Sequence, residues 1–106
     1  MKNYVETIIA WRHNLRRNIG AEVLDYIKQK NVYVTYLEIL SEIDYGIMME
    51  KEYAFELNGR IYAHIQQYPK KDLNILCTVG LLKSSKEISG YYELVMDKSK
   101  FKAFKR

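Results

Sequence analysis

Apolar residues recur at helical spacing from Tyr4 to Lys30. Tyr4, Ile8, Trp11, Leu15 and Ile19 mark one face, and Val23 with Ile27 continues it as the stripe drifts round. The spacing predicts one long helix over 3–30, or two meeting near Asn18-Ile19-Gly20, because Gly20 favours a break while the stripe keeps its phase. After a short β-branched segment, Asn31 to Val34, Thr35 stands three residues before Glu38 in a capping-box pattern, and Leu37, Leu40 and Ile43 follow. A helix over 35–44 is expected. A second is expected over 51–66, with Ala54, Leu57, Ile61 and Ile65 on one stripe and Gly59 as an interior weakness. From Pro69 the pattern predicts a short helix through Leu73, Leu76 and Cys77, closed by Gly80. Leu81 to Lys83 and Tyr91 to Met96 then read as two strands around a polar turn, Ser84 to Gly90.

At 106 residues the chain has room for one domain and one core. Its expected parts are the N-terminal helix 3–30, a core over 33–96 and a basic tail over 97–106. Almost half the residues are hydrophobic and one is proline, a globular composition. No apolar run approaches the roughly 20 residues of a membrane span. The opening Met1 to Glu6 also lacks a signal peptide's apolar core, so a cytoplasmic protein without membrane contact is expected. The face of the N-terminal helix is wide for so small a core, and Tyr4, Ile8, Trp11, Leu15 and Ile19 are expected to pair with a second copy in a homodimer.

Helix, helix, turn, helix and hairpin, in that order, are carried by YLEILSEID, EYAFELNGRIYAHI, DLNILCTVGLL and SGYYELV. The fold class expected is α+β, mostly α, a winged helix-turn-helix with an added long N-terminal helix. Over residues 35–96 the chain resembles the small winged-helix regulators of the PadR and MarR kind, particularly the short forms of archaeal plasmids and viruses. That resemblance implies a protein that binds double-stranded DNA, with the 69–79 helix as reader and the following hairpin as wing.

The side chains on that helix suit the role. Opposite Leu73, Leu76 and Cys77 lie Lys70, Lys71, Asn74, Ile75 and Thr78: lysine suits phosphate or guanine, asparagine the adenine edge, and isoleucine or threonine a thymine methyl. Lys83, Ser84, Ser85 and Lys86 form a basic hairpin tip, and Arg60 is a further phosphate candidate. The net charge of +4 permits a polyanionic partner without demanding one. In the tail, Lys98, Lys100, Lys102, Lys105 and Arg106 surround Phe101 and Phe104, as in an arm that touches phosphate or packs on a partner.

Other chemistry finds little footing. Cys77 reads as a buried thiol, and His13 and His64 have no partner at metal-ligand or catalytic spacing, so neither an enzyme nor a cofactor is expected. Of the adjacent Tyr91 and Tyr92, one should face the core and the other away. The function expected is a dimeric transcriptional repressor. The alternatives are a partition or architectural protein that spreads on DNA, and an interaction module docking through Ile75, Tyr62 and Phe55.

Overall fold

The computed structural model describes residues 4–96. Three helices stand where one or two were expected, α1 (Tyr4–His13), α2 (Leu15–Ile19) and α3 (Ala21–Gln29), with the break expected near Gly20 joined by another at Asn14. The breaks have local causes. Asn14 leaves helical geometry at φ −121°, ψ 35° while its side-chain amide donates to the Ala10 carbonyl at 3.0 Å. Gly20 sits at φ +85°, a conformation that side chains resist, although nothing would touch a Cβ there.

The stripe survives both breaks because each bend keeps it facing inward. Ile8, Trp11, Leu15, Ile19, Val23, Leu24 and Ile27 are all buried in one core. The expected dimer face is therefore covered by the chain's own fold: Ile8, Trp11, Leu15 and Ile19 pack internally, while the Tyr4 side chain lies outside the described residues.

The helix expected over 35–44 is longer. Helix α4 (Tyr33–Met48) starts two residues before Thr35 and runs through Gly46. Its N-cap is Val32, without a side-chain cap bond, so Thr35 is an in-helix residue whose hydroxyl is used elsewhere. Helices α1 and α3 and strand β1 all pack against α4.

The largest departure is at 51–66. In place of a helix, strands β1 (Ala54–Leu57) and β2 (Arg60–Ala63) form an antiparallel hairpin about Asn58-Gly59. Both turn residues have positive φ, 53° and 80°, the geometry of a two-residue hairpin loop whose twist matches its strands. Glu56 closes the turn by accepting the Gly59 N–H at 2.8 Å. Ile61, Tyr62 and Ala63 are buried in succession, so the run carries no alternation of exposure to reveal a strand. Because 51–66 is a hairpin, residues 51–79 do not supply the two consecutive helices of a helix-turn-helix.

The last part follows expectation. Helix α5 (Lys70–Thr78) leads to β3 (Leu82–Ser84) and β4 (Tyr92–Leu94), and the four strands form one antiparallel sheet in the order β1-β2-β4-β3. The fold is α+β, about half helical, with the core enclosed between α1, α3, α4, α5 and one face of the sheet.

Helix and sheet meet closely at Gly46. A Cβ there would lie 2.8 Å from the Ala54 Cβ and 2.8 Å from the Tyr53 ring. Gly46→Ala should destabilise the protein by about 1–2 kcal/mol, since the clash outweighs the roughly 1 kcal/mol gained in helix propensity. A raised urea midpoint would mean that the layers separate freely.

Asp44, also on α4, lies 3.9 Å from the Arg12 guanidinium, and its Oδ1 has no hydrogen-bond partner among the described residues. Burial raises its pKa more than Arg12 lowers it. The group thus contributes stability at acid pH that is lost as pH rises through the raised folded value. Asp44→Asn removes that loss, so its stability relative to wild type should climb over the range that opens at about pH 4, the ordinary carboxylate value. Denaturation midpoints measured across that range test the sign.

Candidate nucleic-acid interface

Helix α5 owes its position to both its ends. Pro69 is the N-cap, at φ −56° and ψ 132°, and its carbonyl accepts the N–H groups of Asp72 and Leu73 at 3.0 and 3.1 Å. At the other end Gly80, at φ +87°, reverses the chain. The Gly80 N–H bonds Cys77 O and the Leu81 N–H bonds Leu76 O, a paired closure that buries Leu76 against Leu81. A hydrophobic clasp therefore fixes where the helix stops.

Between these ends Leu73 and Leu76 turn inward, and the exposed arc carries Lys70, Lys71, Asn74 and Thr78. Asp72 does not join them. Its carboxylate accepts a hydrogen bond from Thr35 Oγ1 at 3.0 Å, which ties the first turn of α5 to α4 and turns the only acid of α5 away from the arc. Ile75 is half-buried against the core, not presented to a ligand as expected. Cys77 is also half-buried; burial pushes its thiol pKa up, opposed by the Lys70 charge and a hydrogen bond to the Ser84 backbone.

The hairpin side chains divide between faces. Phe55, Tyr62, Glu93 and Lys83 are register partners across the sheet and share its outer face. Ser84 belongs to the next row with Tyr92, Ala63 and Ala54, on the core side. Lys83 and Ser84 therefore point to opposite sides, and Lys83 does not extend the α5 arc. Arg60 is likewise on the outer face, 4.0 Å from Glu93 and held protonated by a hydrogen bond to Tyr62 and by the Glu93 charge. Glu87 is depressed in pKa, first by its own backbone N–H, then by Ser85 and the charges of Lys83 and Arg60. Lys83 and Arg60 thus lie among carboxylates. In the turn, Ser85 Oγ accepts the Ile88 N–H at 3.0 Å, and Lys86 is exposed at the tip.

The outer face also holds an aromatic row that the helical reading of 51–66 hid. Phe55 lies 5.7 Å from Tyr62 and 5.6 Å from Tyr91, and His64 meets Tyr91 edge-on at 5.3 Å. Tyr92 faces the core and Tyr91 the outside, as adjacent strand residues must. Ile75 lies across the sheet from Phe55 and Tyr62, so these three do not form one docking patch. The signal for the row was Asn58-Gly59, a strong local mark of a hairpin.

A second unforeseen feature is a groove of about 510 Å³ on α4, lined by Val34, Leu37, Tyr45 and Tyr53 and flanked by Glu38 and Glu42. Glu42 accepts hydrogen bonds from Tyr68 and Gln67 side chains, and its backbone carbonyl accepts one from Tyr53. No cluster of side chains that could hold a metal occurs among the described residues, and no helix among them is long and apolar enough to cross a membrane. No family model, curated protein or solved structure matches the chain.

Thr35→Val keeps the shape of the side chain and removes the bond to Asp72. The loss should cost about 1–2 kcal/mol and speed amide exchange in the first turn of α5. Unchanged exchange there would show that Pro69 alone holds the turn.

Proposed function

We propose that this chain binds double-stranded DNA through the exposed arc of α5 and acts as a transcriptional regulator that occludes its site. The observation that carries this is the position of Asp72: with its carboxylate bonded to Thr35, the arc presents Lys70, Lys71, Asn74 and Thr78 without an acid among them. A helix about 10–12 Å across fits a major groove about 12 Å wide. Lys70 and Lys71 neutralise phosphates, Asn74 at mid-helix bonds an adenine edge, and the Thr78 methyl meets a thymine.

The turn tip at Ser85 and Lys86 follows the backbone beside the groove, the part a wing performs. Of the winged-helix resemblance, this reading retains the helix and hairpin of 69–96, carried here on a β1–β2 hairpin in place of the second helix. Arg60 and Lys83 serve the sheet through their acidic neighbours and stay off the DNA. A two-fold pair would read half-sites about 34 Å apart, joined through a surface other than the internal Ile8–Ile19 stripe.

The test is a titration by mobility shift against the duplex flanking the gene, at two salt concentrations. Lys70→Ala with Lys71→Ala should weaken binding to every duplex and reduce the salt slope by about 2. Asn74→Ala should leave the slope unchanged and lower base discrimination by about 1–3 kcal/mol. Equal affinity of wild type and the double lysine variant would overturn the proposal.

A further inference from the structure

The groove on α4 requires an occupant with two properties. Its lining is largely apolar, with Val34, Leu37, Tyr45 and Tyr53, and Val34 is 64% and Tyr45 48% exposed. The same lining carries Glu38 and Glu42, neither with a basic partner among the described residues. An occupant must therefore bring large apolar side chains and positive charge together. Nucleic acid fails on charge, because Glu38 and Glu42 would repel phosphate.

A second copy of α4 also fits poorly. A two-fold axis near Ser41 would set Glu38 and Glu42 against the same residues of the neighbour, placing like charges across a narrow contact.

One segment of this sequence has both properties. From Lys98 to Arg106 it carries Lys98, Lys100, Lys102, Lys105 and Arg106, no acid, and the two large apolar residues Phe101 and Phe104. It follows Met96, the last described residue, which packs against the core. Phe101 and Phe104 stand five and eight residues beyond Met96 and can lie up to about 17 and 26 Å from it when the chain is extended, on the scale of the 26 and 22 Å of the two shorter dimensions of the fold. The two phenylalanines can thus reach an adjoining face of their own molecule.

We infer that residues 98–106 dock on α4 of the same chain, with Phe101 and Phe104 seated between Val34, Leu37, Tyr45 and Tyr53 and the flanking lysines against Glu38 and Glu42. The phenylalanines supply the apolar area and the lysines select this groove over other exposed apolar side chains such as Met48, Met49 and Leu57. The contact is independent of the proposed DNA arc, since α5 presents a separate surface.

The full chain without nucleic acid provides the test. Amide exchange over 99–105 should be slowed about tenfold or more relative to an unstructured peptide in wild type. It should return to the unstructured rate in Phe101→Ser/Phe104→Ser and in the groove variant Val34→Lys/Glu38→Lys. Both groove positions are exposed, so the fold tolerates the change. The methyl resonances of Val34 and Leu37 should move when the two phenylalanines are replaced. Unprotected exchange in wild type, protection that persists in the groove variant, or unmoved methyls would each overturn the inference. Protection that grows with protein concentration would assign the groove to a neighbouring molecule and overturn the intramolecular contact.

Discussion

The placement of every other element depends on the seat of α4, and that seat is fixed by one buried pair. Tyr36 is fully buried and its hydroxyl accepts the Trp11 indole N–H at 2.9 Å. Burial drives the phenol pKa upward, so the group stays neutral and hydrogen-bonding at any ordinary pH. Buried polar atoms of this kind are costly to leave without a partner, which locks α1 to α4 in one rotation. From that fixed helix the rest is hung. Thr35 fixes the first turn of α5, Glu42 holds the Tyr68 end of the connection into α5, and Gly46 admits the sheet to contact. The groove and the α5 arc are different exposed consequences of the same orientation.

The fold was legible where local chemistry and burial pointed the same way. Helix α5 was readable because Pro69 and Gly80 mark its ends while Leu73 and Leu76 set its inner face, and the structure adds only the pairing of Leu76 with Leu81. The N-terminal stripe was readable as a phase, yet its extent of burial was not. Whether a wide apolar face meets its own chain or another depends on distant residues, here Tyr36 and its neighbours, that no local window contains.

At 51–66 the two signals conflicted. Ala54, Leu57, Ile61 and Ile65 fit a helical stripe, and Ile61 to Ala63 give no alternation because β2 is covered on both faces, by the core beneath and Phe55 above. Asn58-Gly59 was the deciding residue pair, since a left-handed pair costs little in a turn and a great deal inside a helix. The candidate site inherits the same division. Lys70, Lys71, Asn74 and Thr78 could be placed on one arc from helical period alone. The separation of Lys83 from Ser84, and the neutralisation of Arg60 by Glu93, required the register of a sheet whose first two strands had been read as a helix.

On the DNA-binding reading proposed above, the clasp at Gly80 also limits how much information the arc could hold. Because Leu81 and Leu76 end α5 after nine residues, the exposed face is about 13 Å long, and duplex DNA rises 3.4 Å per base pair. Such a helix spans about four base pairs, a combination that recurs by chance about once in 250 positions. If the arc reads DNA as proposed, one copy is a letter and not an address, and selecting one locus would require several copies set at fixed spacing.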